Sequence, residues 1–331
     1  MRRFRSETTS DEQIKKQSRH DAFWVHKLRI HFALLCAFGL SSMMMVWVLF
    51  LPGSCVPWQK DAFLKSAGKV VPATLITKYK NNKAACYLHV LPSVLWSVLA
   101  PVHLCMLLLS SNGAPGDTGN WTVSYLQGFL SNNKYKRTYR KVHRISGYVF
   151  ALIVSAMAFG YFHIIHKRNL HFHANDFPSL QKDEALSLLV PGFWPSIGGV
   201  AAFTVFEHSM CVWFFAAMCG AVVVASFRAN KNARNGQSNW LPRHRAWAIR
   251  HVAAGYSVAA QRVFIFIAHA ACRFRCQFFH DQSCSINLCS SPQTQKGIFA
   301  DALVLGTAVC VCMGEVVIRD VNALEDEKKR E

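Results

Sequence analysis

Histidine and arginine residues recur inside the apolar stretches of this sequence, and the densest set lies in the segment 244–262, HRAWAIRHVAAGYSVAAQR. At about 100° per residue, several of its residues fall near one face of a helix; they are His244, Trp247, His251, Gly255, Val258 and Arg262. Imidazoles bind haem iron, and guanidinium groups bind carboxylates. Because a charge that faces lipid is costly, this stripe is expected to face protein, water or a cofactor.

Two more histidines share the apolar stretch 87–109. His89 and His103 are 14 residues apart, which corresponds to about 21 Å of helical rise and only about 40° of angular drift. One helix would then present an imidazole near each membrane surface. This spacing is compatible with two stacked haems, although histidine also forms hydrogen bonds between membrane helices.

A further histidine begins the stretch near 145–166, in the sequence HRISGY. His143 and Arg144 lie at the start of this stretch, and Gly147 follows one helical turn after His143. A glycine at that position removes bulk beside the imidazole.

These residues allow a specific hypothesis, a transmembrane protein that carries b-type haem between facing imidazoles. His89 would pair with His208 on the outer side, and His143 would pair with His251 or His244 on the inner side. Three arginines would hold the inner propionates: Arg144, Arg245 and Arg250. Electrons would cross to an outer acceptor, such as iron or copper held loosely near His171 and His173 in a His-rich loop.

The apolar stretches define the elements that must position these groups. Runs of about 20 residues, long enough to cross about 30 Å of hydrocarbon, occur near 30–51, 87–109, 145–166, 205–227, 246–270 and 298–318. We number these spans one to six. The sequence therefore predicts an all-α integral membrane protein with a six-transmembrane helix bundle.

The charge distribution predicts the orientation of the bundle. With the N-terminus in the cytosol, 24 of the 37 Lys and Arg residues fall on the cytosolic side and 12 on the other, while Arg262 lies within a span. This bias follows the positive-inside rule. The basic character is thus explained by topology and by attraction to anionic lipid, and no nucleic-acid partner is expected.

The polar ends complete the predicted organisation. Residues 1–29 form a basic cytosolic tail, disordered or lying on the membrane surface; 30–318 form the membrane domain; and 319–331 form a charged cytosolic tail. Span one is expected to remain as a signal anchor.

The cysteines divide by location. Six lie within spans, where a thiol acts as a small hydrophobic group. The other six lie at or beyond the outer ends and predict disulfides in an oxidising compartment, with the pairing left open: Cys55, Cys86, Cys272, Cys276, Cys284 and Cys289. A zinc site is the alternative. The plasma membrane or a secretory-pathway organelle is therefore favoured over the mitochondrion.

Spans two to six also resemble a known family, the bacterial multi-pass membrane family catalogued as domain of unknown function 2306 (DUF2306). The likeness covers about 87–319 and rests on LHVLPSVLWSVLAPVHL, HRISGY, HRAWAIR, Arg262 twelve residues after Arg250, and Glu315 on the last span. The resemblance implies the fold and the membrane location. It implies no activity, because the family is uncharacterised.

Two other functions are open at this stage. In a non-catalytic scaffold or assembly protein the polar residues would be structural, with Arg262 paired to Glu207 and Glu315 close to Arg250 and Arg144. In a small-molecule carrier or proton-linked transporter, His143, His244 and Glu315 would form a gated inner site. The chain shows no Gly-rich phosphate loop, G-x-S-x-G or H-E-x-x-H motif, which disfavours the enzymes that depend on them.

Overall fold

The computed structural model describes residues 4–50, 71, 82–109, 133–166, 193–227, 240–278 and 291–330. All regular structure in these ranges is helical. Six long helical elements correspond to the six spans, and we label them α1 (Phe4–Phe50), α2 (Lys83–Ala85, Cys86–Val90 and Leu91–Leu109 in succession), α3 (Asn133–His166), α4 (Gly199–Phe227), α5 (Trp240–Phe278) and α6 (Pro292–Arg330). The predicted all-α class is confirmed.

Each of the six elements contains a segment long and apolar enough to cross a membrane. These segments are His20–Val46, Lys83–Met106, Lys141–His166, Gly199–Ser226, Leu241–Phe274 and Pro292–Glu327. The six spans predicted from the sequence are thus present, but several helices extend past them. α1, for example, has 47 residues and is about 70 Å long. Its first turns include the tail predicted to be disordered or to lie on the membrane surface.

α5 is the central helix of the bundle. It packs most extensively on α6 and α4 and also contacts α1 and α2. Its close approach to α6 depends on Gly306, where an added Cβ would lie 2.7 Å from the Gln261 backbone nitrogen and 2.8 Å from the Ser257 carbonyl oxygen. Small residues of this kind let membrane helices pack at backbone distance.

α2 begins irregularly. The segment Cys86–Val90 is a π-helix, a rare form that often occurs at functional sites. α3 packs tightly on it, because a Cβ on Gly160 would lie 2.6 Å from the Leu88 carbonyl oxygen and 2.7 Å from the His89 nitrogen. His89 is therefore held close to the backbone of α3.

The two ends of the bundle differ in chemistry. At one end, which we call the inner end, Nδ1 of His26 on α1 lies 2.8 Å from the fully buried carboxylate of Asp320 on α6. The opposite, outer end carries Cys86 and Cys272, and both are disulfide-bonded. The six span cysteines are free thiols, in agreement with the division made from the sequence. Cys55, Cys284, Cys289 and the Cys276 side chain lie outside the described residues.

Candidate functional site

Three imidazoles from three helices converge at the inner end. His103 of α2 and His143 of α3 have ring centroids 5.7 Å apart, and the rings of His143 and His244 on α5 are 6.4 Å apart. We call His103, His143 and His244 the inner imidazole group. The sequence had placed His143 opposite His244 or His251, and the structure brings it to His244.

The orientation of His244 is fixed by α4. Its Nδ1 lies 3.0 Å from the Ala221 carbonyl oxygen. Because a carbonyl only accepts hydrogen bonds, Nδ1 carries the proton and the lone pair of the neutral ring is on Nε2. Histidines that bind metals are commonly oriented by such a second bond.

His103 was not among the residues selected from the sequence as site residues. Its side chain is only 7% exposed, its ring packs 4.8 Å from that of Phe150, and its Nε2 has no hydrogen-bond partner among the described residues. A buried nitrogen of this kind is costly unless a bound group or water satisfies it. His103 therefore belongs to the candidate site.

The spacing of the group restricts what it could bind. Within the described ranges, no set of three or more His, Cys, Asp or Glu side chains could hold a metal ion together. Two imidazoles on opposite faces of one iron have ring centroids about 6 Å apart, given a metal–nitrogen bond of about 2 Å. The 6.4 Å between the rings of His143 and His244 matches that distance. An added Cβ at the adjacent Gly147 would meet no atom within 4 Å, so the space beside it is open.

His251, predicted as an alternative inner haem ligand, forms hydrogen bonds to two other helices of the bundle. Its Nε2 accepts a 3.0 Å hydrogen bond from the indole nitrogen of Trp96, and its Nδ1 donates to the Phe214 carbonyl oxygen at 2.9 Å. Both nitrogens of this buried ring are therefore occupied. Iron ligation by His251 would require the bond from Trp96 to break.

Trp96 also fills the space beside Gly255 on α5. A Cβ on Gly255 would overlap the Trp96 ring and lie 2.9 Å from Phe214. On its other side, Trp96 packs 5.4 Å from the ring of Tyr256, whose hydroxyl is 2.7 Å from that of Ser41 on α1. The middle of the bundle is thus closed by side chains from four helices.

The three arginines predicted to hold haem propionates have different environments. Arg250 forms a two-pronged ion pair with Glu315, with distances of 2.6 and 3.0 Å, so the expected contact between Glu315 and Arg250 is present. Arg245 is 2% exposed and pairs with Glu325 of α6. Only Arg144 is exposed on the bundle surface. Two of the three arginines therefore join α5 to α6.

The outer half contains two of the predicted ligands, His89 and His208, but Tyr161 of α3 contacts both. Its ring centroid lies 6.5 Å from that of His89 and 6.2 Å from that of His208. His208 donates from Nδ1 to the Thr204 carbonyl oxygen at 2.7 Å, and His89 bonds to the backbone of Met157. The two imidazoles thus both pack against a tyrosine.

The ion pair expected between Arg262 and Glu207 stays a prediction. The Nη1 of Arg262 donates to Gln261 at 2.8 Å, and its guanidinium lies 5.3 Å from the Phe299 ring centroid. The contact with Phe299 was not predicted from the sequence.

An outer polar contact escaped prediction. Asp301 of α6 is fully buried and accepts a 2.5 Å hydrogen bond from the indole of Trp194, in the short helix Phe193–Ile197. The sequence signal available for this contact was a single aspartate within span six. The candidate metal residues His171 and His173 lie outside the described residues.

The six long apolar helices are compatible with a multi-pass integral membrane protein, and the bundle is organised around a polar central helix. No family model, curated protein or solved structure matches the chain. The function must therefore be argued from the arrangement of its own residues.

Proposed function

We propose that this protein binds one haem b at its inner end, between His143 and His244, and serves in electron transfer. The observation that carries the proposal is the 6.4 Å between the two ring centroids, a separation at which His143 and His244 would together hold one iron. A bound haem b supplies reversible one-electron chemistry. Membership of the DUF2306 family, if correct, would fit this fold and adds no activity.

The surrounding residues have distinct tasks in this proposal. The Ala221 carbonyl holds His244 in the tautomer whose Nε2 has the lone pair. No atom lies within 4 Å of where a Cβ on Gly147 would be, so this turn of α3 would not block a group bound beside His143. Arg144, exposed next to His143, would be the arginine that meets a propionate. His103, whose buried Nε2 has no hydrogen-bond partner among the described residues, packs beside His143.

We also propose that the inner end faces the cytosol. The excess of Lys and Arg in the segments at that end supports this orientation, and so do the disulfide-bonded Cys86 and Cys272 at the other end. The plasma membrane or a secretory-pathway organelle is the location that we expect.

Absorbance spectroscopy on the purified full chain tests the haem proposal. We expect a Soret band that shifts on reduction with dithionite and is lost in His143→Ala and in His244→Ala. His251→Ala and His89→Ala are matched controls that should keep the band. A folded, colourless protein that does not take up added haemin, or a band that survives both inner substitutions, would overturn the proposal.

A non-catalytic scaffold is the second candidate. It is favoured by the way α5 uses its polar residues, because His251, Arg245 and Arg250 each bind another helix of the bundle. If this is the whole function, the inner imidazoles are also only structural. Alanine substitution of His143 would then lower thermal stability of a colourless protein without altering any spectrum.

A further inference from the structure

The exposed face of α6 toward the inner end differs from the other exposed helix faces. Its residues recur at intervals of three and four and therefore lie on one side of the helix. They are Ala308, Cys312, Glu315, Arg319 and Asn322, and all are exposed. We call this set the α6 inner face.

Other exposed surfaces of the bundle carry many large apolar side chains. Leu35 of α1 and Leu152 of α3 are each 71% exposed, and Phe159 of α3 is 68% exposed. Such residues are matched to hydrocarbon. The α6 inner face has small, polar and charged residues in their place, although all five lie within the candidate span Pro292–Glu327.

An ion pair lies at the centre of this face. Glu315 is 47% exposed and its partner Arg250 is 29% exposed. Charged side chains within membrane spans almost always face protein or water rather than lipid, because exposure to hydrocarbon is costly. The α6 inner face is therefore better suited to contact with protein than with acyl chains.

We propose that the α6 inner face binds the same face of a second copy of this chain. Two copies in one membrane share their orientation, so a two-fold axis along the membrane normal brings identical faces together.

Glu315 and Arg319 have opposite charges and lie about one turn apart, so each Glu315 can meet the Arg319 of the other copy. Ala308 and Cys312 are small enough for close approach, and a polar residue such as Asn322 can fix the register of paired helices. This proposal is independent of haem binding.

Native cysteines provide the test. Two copies with different epitope tags are expressed together, and the membranes are oxidised with copper phenanthroline, which is membrane-permeable. Because the two-fold axis brings the Cys312 thiols together, we expect a disulfide-linked product that contains both tags. Cys312→Ser should abolish the product. Cys219→Ser, which removes the exposed thiol of α4, should leave it unchanged.

The charge pairing is tested by the mass of the purified protein in lipid nanodiscs. The wild type should have twice the chain mass of 37.2 kDa. Arg319→Glu should lower the dimer fraction at least fivefold, while Arg319→Lys should preserve it. A disulfide from Cys312 to a chain of another mass would show that a different membrane protein binds this face. A single-copy mass with no Cys312 product would show that the face meets lipid headgroups, and either result overturns the proposal.

Discussion

The inner and outer halves of the bundle both contain histidines from several helices, but the rings are arranged differently. At the inner end, His143 lies between His103 and His244, and its ring contacts both of theirs directly. In the outer half, His89 and His208 each pack on Tyr161. The described ring contacts thus join imidazole to imidazole at the inner end and imidazole to tyrosine in the outer half.

The difference shows that the depth of a histidine in the bundle does not by itself make it a haem ligand. His251 is the most deeply buried of the predicted ligands, at 1% exposure, and yet its two nitrogens serve Trp96 and Phe214. The inner imidazole group, by contrast, contains a buried ring nitrogen, Nε2 of His103, that has no hydrogen-bond partner among the described residues.

The largest effect on stability is expected for His251→Ala. The substitution leaves the Trp96 N–H and the Phe214 carbonyl buried without their bonds and creates a cavity, at a cost of about 3 kcal/mol. His208→Ala is the matched control, because the Nδ1 of His208 bonds to the Thr204 carbonyl oxygen of its own helix, whereas both bonds of His251 join α5 to other helices. Thermal denaturation in detergent should show the larger loss for His251→Ala. Equal losses would contradict the structural role of His251.

A pair of glycine substitutions on α3 compares the two halves directly. Gly160→Ala would push a Cβ against the backbone of the π-helical segment and should cost about 1–3 kcal/mol. Gly147→Ala meets open space and gains up to about 1 kcal/mol of helix propensity. Melting temperatures should therefore fall for the first and stay level or rise for the second. The opposite order of melting temperatures would mean that α3 packs more closely on its neighbours at Gly147 than at Gly160.

A smaller effect is expected for Tyr161→Phe. This change keeps the ring that packs on His89 and His208 but removes the hydroxyl, which lies close to the Cys211 thiol. The loss should be no more than about 1 kcal/mol, measured by the same denaturation. The Soret band should be unchanged in position and intensity. A change in that band would show that the outer half takes part in the site.

The fold was largely predictable because hydrocarbon thickness determines the length of apolar segments. All six spans appear at their expected places. The helix ends were not predicted, since charged residues beyond the membrane continue the helices in water. α6, for example, extends to Arg330.

The candidate site was predicted less completely. Depth along each helix follows from the sequence, so His143 and His244 were correctly placed at one end. The rotation of each helix about its axis does not follow from the sequence, because it depends on contacts between residues far apart in the chain. Trp96, for example, is 155 residues from His251 in the chain. The rotation of α2 that brings His103 beside His143 likewise leaves no signal in the neighbouring sequence. The contact between Arg262 and Phe299 went unpredicted for the same reason.

The most direct test of the central claim is the number of haem groups per chain, determined by pyridine haemochrome absorbance on the purified protein loaded with haemin. If only the inner site binds haem, the loaded protein should contain one haem per chain. That haem should be lost in His143→Ala and retained in the double variant His89→Ala/His208→Ala. Two haems per chain would show that the outer pair also binds, and none would contradict the account of the inner imidazole group.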